Sequence, residues 1–140
     1  MNELSLAWRL RAMLACAVLP PLLEVMSFSR VAALAGGRAP RTDPHAPSDE
    51  ALADFVAGSL RGLPAPWRYT CLRRSIVLYH LLRRARRPVS LKIGVRKNAA
   101  GALQAHAWLV RDERPYLEPD ATEHLAFQVI ASFPELAAAS

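Results

Sequence analysis

Cysteine is scarce in this chain of 140 residues: only Cys16 and Cys71 are present. Two thiols cannot supply the dense disulfide framework of a small secreted domain, so the composition points to a reducing compartment and a cytoplasmic protein. Paired metal-ligand spacings such as C-x-x-C or H-E-x-x-H are missing, which argues against a zinc site built from Cys71, His80 and His106. No glycine-rich phosphate loop occurs either, so any nucleotide would be held by another protein and no cofactor is expected. A long apolar run is also lacking. Residues 12–23 are apolar, but Pro20 and Pro21 interrupt them and Glu24 follows, which falls short of the ~20 residues a membrane span needs and fits a signal peptide poorly. No repeat or low-complexity tract appears, and stable membrane insertion is not expected.

What is abundant is apolar surface and arginine. At 52% hydrophobic, the chain has enough side chains for one compact domain. Lys and Arg number 18 against 12 Asp and Glu, for a formal charge of +6, which favours acidic partners without naming one.

Two regions follow from the pattern. Residues 1–64 form a helical region expected to pack on a core made by 65–140. Leu6, Leu10, Met13 and Leu14 recur at helical spacing and predict a helix ending near Pro20, with a second helix from Pro21 to Leu34 stopped by Gly36 and Gly37. Residues 36–48 are a Pro/Gly linker containing His45. Ser48, Asp49 and Glu50 then start a helix whose stripe is Leu52, Phe55, Val56 and Leu60, ending at Gly62 and Pro64. From Cys71 to Arg87 an amphipathic helix puts Leu72, Ser75, Ile76, Tyr79 and Leu82 on one face and basic residues with His80 on another, with Pro88 as its stop. Arginines 83–87 are expected to be a solvated helix end, or else a site for an acidic peptide. Leu91, Ile93 and Val95 alternate with Lys92, Gly94 and Arg96, which predicts a strand; 98–101 is a turn, 103–111 the partner strand, and a third short strand lies near 116–118. The class is therefore α+β: a helix followed by antiparallel strands, under a helical cap.

Cys71 opens a helix, where the backbone dipole and unpaired N–H groups favour the thiolate, the attacking form in acyl transfer. Arg73 and Arg74 add to that field. His106 lies between Ala105 and Ala107 on the second strand, able to face a helix terminus, with Trp108 on the same side. A Cys-His pair needs a third group to hold the imidazole, and Glu118 and Asp120 on the next strand and turn are placed for it. Cys16, inside an apolar helix, is a packing residue, and His45, His80 and His124 are solvated or structural.

Three segments, Cys71-Leu72-Arg73-Arg74-Ser75, Leu91-Lys92-Ile93-Gly94-Val95 and Ala105-His106-Ala107-Trp108, together resemble the transglutaminase-like B2 proteins of lasso peptide biosynthesis, most firmly over residues 66–120. The resemblance implies a transglutaminase-like, papain-like core and a leader peptidase acting on a ribosomally made lasso precursor. It also implies Cys71 as nucleophile, His106 as base, and Glu118 where the family usually carries Asp, with Asp120 as the alternative. The expected partners are the precursor peptide, a separate PqqD-like leader-recognition protein (B1) and an asparagine-synthetase-like cyclase, with no nucleic acid. Two rival readings remain from the residues: a non-catalytic basic module that binds a peptide or nucleic acid, and an acyltransferase that uses an amine in place of water.

Overall fold

The computed structural model describes residues 5–37, 46–64, 70–118 and 122–133. Its elements run α1 (Leu6–Val25), α2 (Phe28–Ala35), α3 (Asp49–Arg61), α4 (Cys71–Arg84), β1 (Ser90–Lys97), β2 (Leu103–Arg111), β3 (Arg114–Pro115), a 3-10 turn (Glu123–Ala126) and β4 (Gln128–Phe133). The class is α+β: four helices and a four-stranded antiparallel sheet in the order β3-β2-β1-β4.

Hydroxyl caps set the helix starts. Ser5, Ser27, Ser48 and Thr70 each accept from the backbone N–H three residues on, satisfying a donor that has no intrahelical partner. The expected break at Pro20 does not occur. α1 continues through Pro20 and Pro21, and Leu19 and Pro20 are buried while Leu22, Leu23 and Met26 pack on the core, which offsets the lost backbone bonds. The break falls instead at Met26, where Ser27 recaps the chain into α2. α4 likewise stops short of Pro88. Arg86 adopts a left-handed φ of 61° and the Arg87 N–H bonds back to the Leu82 carbonyl at 2.8 Å, a closed helix terminus that turns the chain into β1.

β1 and β2 form a hairpin with Gly94 opposite His106. The Asn98 carboxamide accepts from the N–H groups of Ala100 and Ala102, and Gly101 supplies the positive φ of 83° that the turn demands. β4, unanticipated from sequence, pairs with the other side of β1 across an irregularity at Ile93/Gly94. The third strand is shorter and earlier than expected, pairing only at 114–115, although Tyr116 still donates to the Leu109 carbonyl.

Alternation along the strands separates two faces. Leu91, Ala107, Leu109 and Phe133 join the helices in one buried cluster that runs from Trp8 on α1 to Phe133 on β4, with Ile76, Tyr79 and Leu82 of α4 at its centre. The opposite face carries His106 and Trp108 under Phe127 and His124. Gly94 is required there: a Cβ would come within 2.8 Å of the Phe127 Cβ and 2.9 Å of a Trp108 ring carbon.

A polar cluster ties the helix layer to the end of the hairpin. Buried Asp49, at the start of α3, pairs with Arg87 at 3.0 Å and Arg111 at 3.4 Å and accepts from the Tyr116 hydroxyl. Arg87 also donates to the Pro47 carbonyl, and Arg83 to that of Gly36. Two members of the basic run thus brace the fold rather than sit in solvent.

Candidate active site

α4 begins with the thiol. Thr70 caps it through the Arg73 N–H at 3.1 Å, and Cys71 is half-exposed at the first helical position, where backbone N–H groups have no partner within the helix. One turn further, two side chains dock this end of α4 onto the sheet. Ser75 Oγ donates to the Ala107 carbonyl at 3.2 Å, next to His106. Arg74, itself buried, donates to Glu118 Oε2 at 3.3 Å and to the Leu117 carbonyl. Since residues four apart share a helix face, Cys71 and Ser75 lie on the same side of α4. That side meets β2 at an edge β3 leaves open, because β3 pairs only with Val110 and Arg111.

His106 is 8% exposed. Its ring stacks on Trp108 at 5.5 Å with an interplanar angle of 21° and lies 5.1 Å from Phe127. The strand alternation puts this ring on the expected Trp108 face, opposite the face on which Ala107 and Leu109 enter the core. Ala107, the next residue in β2, accepts from Ser75 of α4, and Leu72 at the start of α4 lines the same cavity as His106.

Glu118 sits at that same edge. Its Oε2 accepts from the Leu109 N–H at 3.2 Å as well as from Arg74. Burial pushes its carboxyl above the usual value, and the Leu109 N–H, the Arg74 charge and hydrogen bond, and the positive field of His106 pull it partly back. Glu118 is thus bonded to Arg74 and Leu109 at the open edge of β2 and feels the charge of His106, while Cys71 stands one turn before Arg74 at the start of α4. Asp120, the alternative third member, lies outside the described residues, as does His45.

Arg74 does more than add to the field around the thiol: one turn along the helix from Cys71, it forms a buried ion pair with Glu118, a partner 44 residues away that no local signal announces.

Cys16, His80 and His124 pack within the fold. Burial raises the Cys16 thiol to about 11, in keeping with a packing residue. His80 bonds the Ala35 carbonyl at 3.1 Å and burial lowers its pKa. His124 packs its ring 5.8 Å from Trp108. Among the described residues no three His, Cys, Asp or Glu side chains cluster as metal ligands. Beside the site lies an apolar cavity of about 340 Å³, lined by Phe28, Leu72, Ile93, His106, Ala107 and Ile130 among others.

Residues 9–132 match the transglutaminase-like superfamily. No curated protein and no solved structure matches the chain.

Proposed function

Because the chain belongs to the transglutaminase-like superfamily, we propose that it is a cysteine peptidase that removes the leader from a ribosomally made lasso peptide precursor. The superfamily includes cysteine proteases and acyltransferases. One observation supports the reading: Arg74 and Ser75, one turn after Cys71, dock the first turns of α4 onto the open edge of β2, the strand that carries His106 and to which Glu118 is bonded.

In this reading His106 takes the Cys71 proton as Sγ attacks the scissile carbonyl carbon. The tetrahedral oxyanion is held by N–H groups of the α4 start, which lack helical acceptors. Collapse breaks the C–N bond, and His106 returns the proton to the leaving amine. Water, deprotonated by His106, then attacks the thioester and releases the leader acid and the free thiol. Glu118 or Asp120 orients the imidazole. None of these steps uses a cofactor. The apolar cavity beside Leu72 and His106 offers a place for substrate side chains. The proposal includes a cytoplasmic setting, a PqqD-like protein that presents the leader, and an asparagine-synthetase-like cyclase that receives the core peptide.

The test is precursor cleavage followed by mass spectrometry. Cys71→Ala is expected to abolish leader removal with an unchanged melting curve, while Cys16→Ser retains activity. Processing by Cys71→Ala near the wild-type rate refutes the nucleophile. Product masses showing amine transfer in place of hydrolysis would select the acyltransferase reading.

A further inference from the structure

α1 is apolar around most of its circumference, which is the pattern of a helix enclosed by protein. In this fold only one side is enclosed: Trp8, Ala12, Ala15, Cys16 and Leu19 enter the core. Leu6, Leu10, Met13 and Leu14, the residues whose spacing announces the helix, are 74%, 57%, 56% and 65% exposed, and Val18 is 43% exposed. At about 100° per residue these five form one continuous stripe with Arg9 and Arg11 on its two flanks. Next to the stripe is a groove of about 430 Å³ between α1, the end of α2 and α4, lined by Leu14, Val18, Leu22 and Leu34 together with Arg11 and Arg84. No carboxylate lines it. Arg83 and Arg87 are spent on internal carbonyls, so Arg84 is the member of the basic run that meets this groove. Apolar surface on this scale marks an interaction site.

We propose that this face is the docking surface for an amphipathic helix of a partner protein, with its apolar side in the groove and Asp or Glu along its flanks. Shape and charge select that occupant. A recess walled by two helices and the end of a third accepts a helix, whereas a planar lipid surface would touch the α1 ridge and leave the recess unfilled. Glu24, exposed near the far end of the stripe on the same helical side, also opposes lipid insertion. A second copy of the chain would set Arg9, Arg11 and Arg84 against the same cations, on a protein already carrying +6. An acidic helix meets those cations with opposite charge. The surface is built from α1, α2 and the C-terminal end of α4, so the proposal stands whether or not Cys71 is catalytic.

The probe is a fluorescein-labelled synthetic helix of about 18 residues with Leu on one face and Glu on its flanks, titrated onto the full chain by anisotropy. It is expected to bind at least ~10-fold more tightly than the same peptide with Lys for Glu, and to weaken as salt rises. Leu14→Glu and Val18→Glu should abolish binding without shifting the melting temperature, since both side chains face solvent; Leu14→Gln replaces them if either melts early. Equal affinity for the two peptides, or wild-type binding by the variants, overturns the proposal. Sedimentation of the wild type as a dimer that Val18→Glu dissolves would also overturn it, in favour of a self-interface. Binding of the chain to phosphatidylglycerol vesicles with no affinity for the Glu peptide would overturn it in favour of a membrane surface.

Discussion

Replacing Arg74 by Met keeps the length of the side chain and removes its charge from beside Glu118. Both side chains are 6% exposed and their charged atoms are 3.3 Å apart, so solvent screens the pair little. At an effective dielectric of about 20 the attraction is about 5 kcal/mol, and removing one partner of a buried pair costs about 3–5 kcal/mol because the other charge stays buried. The pH dependence has a definite sign. Glu118 is raised above its ordinary 4.5 in the folded state, so its contribution to stability is fully present below that value and is lost as pH rises through the folded value. Arg74 is one of the groups holding that value down. In Arg74→Met the folded value climbs and the window of loss moves upward. Urea unfolding of variant and wild type should therefore differ by about 3–5 kcal/mol at pH 7.5 and less as pH falls below Glu118's ordinary value, where protonation removes the ion pair and the variant lacks only the bonds to the Glu118 and Leu117 oxygens. Arg74→Met/Glu118→Gln should recover part of the pH 7.5 loss. A difference under ~1 kcal/mol at pH 7.5, or one that keeps its size as pH falls, would refute the reasoning.

Gly94→Ala should destabilise by about 1–3 kcal/mol in denaturant unfolding, because the new methyl overlaps Phe127 and the Trp108 ring against which His106 stacks; a neutral result would mean that this face is loosely packed. Iodoacetamide at neutral pH should label Cys71 and leave Cys16 untouched, since the latter is buried with its pKa at about 11; peptide mapping distinguishes them, and an inert Cys71 would favour the binding-module reading. Glu118→Gln should lower precursor cleavage by about 10² to 10⁴, against less than about tenfold for Asp120→Asn. The reverse order would transfer the orienting role to Asp120.

The hairpin was legible because its signals are local. Period-two alternation over 91–96, an asparagine turn with glycine at 101, and a run of eight or nine residues on either side determine β1 and β2 almost to the residue. Ser48 followed by two acids did the same for α3. β4 was not legible: Gln128 to Phe133 carries no clean alternation, and what makes it a strand is the free edge of β1, a partner over thirty residues away. α4 stops before Pro88 because Arg86, a residue with no special liking for positive φ, takes the left-handed turn that Gly usually takes, and no local signal announces it.

Residue types and their order alone marked the candidate groups: a thiol at a helix start, a histidine between small residues on a strand, and acids soon after it. Only the tertiary structure decided which faces and edges those groups occupy. Strand alternation put His106 on the Trp108 face, and the Ser75 and Arg74 contacts brought the helix start to the sheet edge. α1 shows the same division. Its apolar periodicity predicted a helix, but an all-round apolar helix has no single inward face of its own, and packing buried Trp8, Ala12 and Leu19 while leaving Leu6, Leu10 and Leu14 outside. Local sequence encodes propensity over a few residues, whereas the choice of face depends on which surfaces the rest of the chain presents, and that information is distributed from Trp8 to Phe133.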